Sequence, residues 1–178
     1  LCGSGMPGGG GIAGVVAAAA PALCSMVGRL TVSRSQEPDH IRELVAKTDV
    51  LAARMLELAK ADESAFTPLG EAMSMPKDHP DRPAKWKAGV ESALAVPMAL
   101  LREIAAVFEP LEELADVGYA YAISDIGVAA SACRCALDST ILNVTINASF
   151  IKDPQERRQV MDEATALVEQ GVARCEAV

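Results

Sequence analysis

The sequence predicts an all-α protein, an up-and-down bundle of about five long helices, and its composition, periodicity and punctuation each point there. Apolar residues make up 51% of the chain but aromatics only 3%. A core of Ala, Val, Leu and Met suits closely packed helices better than a sheet sandwich. Apolar side chains recur at spacings of three and four over long stretches. Prolines, glycines and acids fall where helices would start and stop. At 178 residues, a single domain spanning 1–178 is expected.

The first helix is expected from about Ile12 to Val32, kinked at Pro21, with Gly14, Ala17, Ala18 and Gly28 allowing close helix approach. Ser33 to Glu37 reads as a polar turn. Pro38 then opens the second helix, flanked by the acids Glu37 and Asp39. Its stripe is the clearest in the chain: Ile41, Leu44, Thr48, Leu51, Met55, Leu58, Asp62 and Phe66. Met75 to Pro83 is a stiff, proline-rich polar loop. The third helix starts near Asp81–Pro83. It carries Trp86, Val90, Leu94, Pro97, Leu101, Ile104, Phe108, Leu111, Leu114 and Val117 at helical spacing, is bent at Pro97, is open to a break at Pro110, and stops at Gly118. Ser124-Asp125 opens the fourth, Ser124 as a cap and Asp125 at the positive end of the dipole. Thr140 to Ile146 is β-branched enough for a strand, but helical periods on either side favour a helix. Asp153-Pro154-Gln155-Glu156 starts the fifth, with Asp153 as cap and Glu156 reaching back. Val160, Ala164, Leu167, Gly171 and Val172 face inward.

The formal charge of −8 argues against a nucleic-acid partner, which needs a basic face. Five cysteines without CxxC spacing read as reduced thiols in a cytoplasmic protein. The two histidines, His40 and His79, are not in metal-ligand spacing, so no metal site is expected. The apolar run Ile12 to Val27 is shorter than the ~20 residues of a span, contains Pro21, and follows an uncharged segment, so neither a membrane helix nor a signal peptide is expected.

Pro7-Gly8-Gly9-Gly10-Gly11 reads as a glycine loop feeding a helix start. There, free N–H groups and the dipole make an anion-binding geometry; a loose terminus has the same composition. Gly3 to Gly8 fits GxGxxG literally, but no strand precedes it and a proline interrupts it, so it is no dinucleotide fingerprint. Asp62 falls on an apolar stripe. It is either a site acid with a raised pKa or a solvated cap if the helix ends near Ala61. Ser139, Asn143 and Asn147 form a polar strip whose amides need partners, either a ligand or a neighbouring helix. Lys77, Arg82, Lys85 and Lys87 form the densest basic cluster, a solvated face or a seat for carboxylates.

Taken in order, several segments resemble the cyclodeaminase/cyclohydrolase family of folate enzymes. They are Pro7-Gly8-Gly9-Gly10, Ser25-Met26-Val27-Gly28-Arg29-Leu30-Thr31, Asp62-Glu63-Ser64-Ala65-Phe66, Glu71-Ala72-Met73 with Met75-Pro76-Lys77, Val96-Pro97, Ser124-Asp125 with Val128-Ala129-Ala130, and Asn143-Val144-Thr145-Ile146-Asn147. The likeness covers nearly the whole chain. It departs in lacking the family's helix ahead of the glycine run, in a shorter Lys77–Pro97 segment, and in Gly118-Tyr119 where the family has Gly-Asn.

The resemblance implies a helical homodimer acting on the one-carbon unit at N5 and N10 of tetrahydrofolate. The reaction is either cyclodeamination of the 5-formimidoyl compound or hydrolysis of the 5,10-methenyl compound, with no cofactor beyond the folate substrate. A non-catalytic folate-binding or structural module of the same fold is the alternative. The implied site has Asp62 as general acid/base and Asp125 as second carboxylate. Gly8, Gly9, Gly10, Phe66, Lys77, Ser124, Asn143 and Asn147 would bind the substrate: the asparagines at the pterin and Lys77 at the glutamate tail.

Overall fold

The computed structural model describes residues 8–178, so Pro7 and nearly all of the GxGxxG match lie outside the described residues. Five helices follow one another: α1 (Gly9–Val32), α2 (Pro38–Ser74), α3 (Arg82–Val117), α4 (Ile123–Ala148) and α5 (Pro154–Ala177), with a 3-10 turn over Ala120–Ala122 before α4. No strand occurs among the described residues, and Thr140 to Ile146 is helical.

Consecutive helices run antiparallel. Gly28 of α1 packs on Val45 of α2 and Gly14 on Ala59, while Leu69 of α2 lies against Gly89 of α3. α1 is the close-packed centre: Ala13, Ala17, Ala18, Ala20, Cys24 and Val27 are buried. At 24 residues it is longer than the run counted from sequence, and long and apolar enough to cross a membrane by length and composition. Its burial against neighbouring helices is that of a core helix. α3 supplies the larger side chains, Leu101, Ile104, Phe108, Leu111 and Leu114, all buried.

Salt bridges fasten the outside. His40, Lys47 and Arg54 on α2 meet Glu113, Glu109 and Glu103 on α3. Arg102 and Arg174 tie α3 and α5 through Glu163 and Glu112, at 2.5 and 2.6 Å. Exposed pairs of this kind contribute little individually, but they hold the register of the neighbouring helices.

The boundaries correct several expectations. The glycines are not a loop: Gly9, Gly10 and Gly11 form the first turn of α1, preceded by Gly8 in extended backbone. α2 continues well past Ala61 to Ser74, because Pro68 removes only one donor from an otherwise regular helix. Pro110 sits inside α3 without splitting it, and both Pro97 and Pro110 are buried. Val117 is half exposed, not part of the core stripe. Ser124 caps nothing: α4 begins at Ile123, with Ala122 at the cap position and no side-chain cap bond. Asp153 does cap α5, accepting from the Gln155 N–H at 2.8 Å.

Candidate active site

The stripe of α2 explains where Asp62 ends up. It is buried from Ile41 through Leu58 and then emerges where α1 begins, because α1 is shorter than α2 and its first turn stops level with Asp62. The carboxylate lies directly against the glycine turn. A methyl group added to Gly10 would fall 2.5 Å from Asp62 Cγ. Only a glycine admits the acid there, which is a steric requirement and not one of backbone flexibility.

The electrostatics follow from that seat. Burial pushes the Asp62 carboxyl above its usual range, and the Gly11 N–H pulls the other way. The opening N–H groups of α1 have no intrahelical acceptor. The first bond of the helix is Ile12 N–H to the Gly8 carbonyl at 3.1 Å, no side chain caps the end, and its first turn carries no acid. Half-buried Asp62 thus faces a positive helix end. Asn143 on α4 closes the other side, its Oδ1 3.7 Å from where a Gly9 methyl would stand. Its Nδ2 donates to the Ser139 carbonyl at 3.1 Å, leaving Oδ1 turned to the notch. Phe66, one turn beyond Asp62 on the same face, is 39% exposed and offers a ring surface.

The other anticipated residues divide. Asn147 lies one turn from Asn143, but its Nδ2 donates to the Ala93 carbonyl at 2.7 Å. Ala93 is the i−4 position of Pro97, whose missing N–H orphans that carbonyl. Asn147 is therefore committed to mending α3, the neighbouring-helix alternative. Lys77 is exposed in the turn after α2, past the helix end at Ser74, which is itself about 18 Å from Asp62 along the helix; it can reach only the far end of an extended ligand. Ser124 and Asp125 open α4, and 18 residues of helix separate Asp125 from Asn143, about 27 Å at 1.5 Å per residue. Within one chain the two acids do not converge. The sequence could not show this, because the antiparallel pairing of α1 with α4 decides which end meets the glycines.

Gly11 was missed. Its N–H acts on Asp62, and its place in the glycine run was the available signal. Among the described residues, no group of His, Cys, Asp and Glu side chains converges as a metal-ligand set. A groove of about 710 Å³ lies elsewhere, between Trp86, Leu94 and Met98 of α3 and Phe150 to Val160. The Asp62 notch itself is open.

The sequence profile of the formiminotransferase-cyclodeaminase family matches residues 3–166, across all the elements that build the notch. The chain belongs to that family. Within it, formimidoyltransferase-cyclodeaminase of Sus scrofa is 34% identical over 175 residues, 94% of this chain and 32% of that one. The chain thus spans about one third of the length of that relative. Methenyltetrahydrofolate cyclohydrolase of Methylorubrum extorquens is 32% identical over 155 residues, 83% of this chain and 74% of that protein. The crystal structure of formiminotetrahydrofolate cyclodeaminase from Thermotoga maritima superposes with a TM-score of 0.82 at 25% identity, covering 98% of this chain and 88% of that one. The helical bundle anticipated from the sequence is thus shared with that structure over nearly all of this chain.

Proposed function

We propose that this protein is a tetrahydrofolate one-carbon enzyme, and that its reaction is the cyclodeaminase one. 5-Formimidoyltetrahydrofolate would be cyclised to 5,10-methenyltetrahydrofolate with release of ammonia. The observation that carries this reading is the Asp62 carboxyl, raised by burial and set against a glycine turn and Asn143. A carboxyl whose pKa is raised keeps its proton to higher pH than a free one, which suits it to the general-acid role. Folate N10 attacks the formimidoyl carbon, forming a C–N10 bond and a tetrahedral centre as the C=N bond opens and the N10 proton passes to the imino nitrogen, which becomes NH2. The C–NH2 bond then breaks, and a proton from Asp62 leaves with the nitrogen as ammonia. These steps move protons and no electrons, so they call for no redox cofactor.

The pterin would lie against the α1 turn, hydrogen-bonded by Asn143 Oδ1 and stacked on Phe66, with the glutamate tail running along α2 toward Lys77. The relatives named for cyclodeaminase activity, one of them a separate solved chain, favour this reaction. The similarity to a cyclohydrolase that this chain covers for 74% of its length favours the second reading. There, water adds to the methenyl carbon in the same notch and a C–N bond opens. A cytoplasmic location is part of the proposal; burial pushes the Cys24 thiol up to about 12, which disfavours the thiolate that oxidation needs. A homodimer is part of the same proposal.

Following the methenyl chromophore tests it. Appearance from the formimidoyl substrate identifies the cyclodeaminase. Accelerated loss of preformed methenyl compound identifies the cyclohydrolase. Folate binding with neither signal would leave a non-catalytic module.

A further inference from the structure

α3 serves the Asp62 notch with one side and a separate groove with another. Ser92 donates to the Ala65 carbonyl of α2 at 2.8 Å, and the Ala93 carbonyl accepts from Asn147 of α4. Trp86, Val90, Leu94 and Met98 instead form a stripe turned to the start of α5. The two helices run parallel, since Arg102 bonds Glu163 and Glu112, ten residues on, bonds Arg174. They close on each other at Gly171, where an added methyl would stand 3.1 Å from Phe108, and leave a wedge between their N-terminal halves. Its volume of about 710 Å³ is that of a small-molecule pocket. From Trp86 to Met98 it runs about 18 Å at 1.5 Å per residue. The mean cross-section is therefore about 40 Å², too slender for a helix 10–12 Å across and suited to one extended chain.

The floor of the groove is apolar, with Val90, Leu94, Met98 and Ile151 all buried. Its two ends differ in charge. At the Met98 end Arg102 is already engaged by Glu163. At the other end two cations lie over the Trp86 indole, Arg82 with Cζ 4.9 Å and Lys152 with Nζ 5.7 Å from the ring centroid. Neither has a carboxylate partner among the described residues. Arg82 Nε is buried without an acceptor, an orphan donor of the kind that proteins rarely leave. No side-chain hydrogen bond holds the guanidinium in place, so it can turn to an incoming oxygen. Two cations left unmatched in a chain of net charge −8 call for a negative group from outside. Glu91 and Glu156 on the same rim repel a dianion and favour a single charge. We propose that this groove is a second ligand site, which takes an extended apolar monocarboxylate. The carboxylate pairs with Arg82 and Lys152, the guanidinium offering the planar fork that matches it, and the chain lies over Val90, Leu94 and the adaptable Met98.

Trp86 is the only tryptophan in the chain, so its fluorescence reads occupancy of this groove directly. Octanoate, decanoate and dodecanoate, titrated below their micelle concentrations, should each shift its emission, with affinity rising up to about fourfold per added methylene. Decanol and decyltrimethylammonium should bind about tenfold or more weakly than decanoate, as for loss of a charged hydrogen bond. Arg82→Gln combined with Lys152→Gln should weaken decanoate by about the same factor and leave decanol unchanged. Ala95 is exposed on the groove wall, so Ala95→Phe fills the space without disturbing the core and should weaken every chain. Asp62→Asn should bind decanoate as the wild type does, because the notch is a different site. Decanol or the ammonium compound binding as tightly as decanoate overturns the proposal, as does a double variant with unchanged decanoate affinity. No response of Trp86 to millimolar carboxylate also overturns it, and loss of binding in Asp62→Asn would move the ligand to the folate notch.

Discussion

The Asp62 carboxylate occupies the volume that a side chain at Gly10 would fill, with Cγ 2.5 Å from the position of a Gly10 Cβ. Gly89, by contrast, faces backbone: a methyl there would stand 2.6 Å from the Leu69 Cα. The two glycines should therefore fail differently. Gly10→Ala forces a short side chain to swing away, so activity should fall about a hundredfold or more, as for loss of a general acid, with Tm within about 3 °C of wild type. Gly89→Ala must separate two helices, at a cost of about 1–3 kcal/mol. Thermal melts and turnover of both variants check this; equal losses of Tm would remove the steric account of Gly10.

Asp62→Asn keeps the shape and removes the charge. A carboxyl whose folded pKa is raised holds its proton more tightly in the native state. Its contribution is therefore full at low pH and is lost as pH rises through the raised value. The amide should melt at or above the wild-type temperature at neutral pH while turnover drops about a hundredfold or more. The wild-type rate should decline on the alkaline side as the acid ionises. A variant with normal turnover would take Asp62 out of the chemistry.

Asn147 and Asn143 are one turn apart and should separate in their effects. Asn147→Ala orphans the Ala93 carbonyl that Pro97 cannot serve, a loss of about 1–3 kcal/mol. Asn143→Ala breaks a bond to the part-buried carbonyl of Ser139, which also lies within the regular helix α4, and should raise the KM for folate with little change in Tm. Combining Asn147→Ala with Pro97→Ala should recover part of the stability, because an alanine in place of the proline restores the missing N–H donor. No recovery in the melt of the double variant would sink that pairing.

His40 is exposed on α2, and its hydrogen bond to Glu113 raises its pKa. The stabilisation is full below the unfolded histidine pKa of about 6.5 and disappears as pH climbs through the raised folded value. The Tm difference between wild type and Glu113→Gln should be largest near pH 6 and shrink as pH rises through the raised folded value. A difference independent of pH would assign the contact to packing.

What the sequence determined alone is what repeats locally: the helical periods, the caps and stops at Pro38, Gly118, Asp153 and Pro154, and the odd position of Asp62 on an apolar stripe. Those signals depend on neighbours within a turn or two, which a linear chain displays. Whether a residue meets another helix depends on direction and register, and these are set by packing. Tertiary structure alone decided that the glycines form a helical turn made to admit Asp62, that Asn147 serves the carbonyl left by Pro97, and that Asp125 lies at the opposite end of α4 from the Asp62 notch. Helices commit to a face through their periodicity, but nothing along the backbone states which end of the next helix will lie beside it.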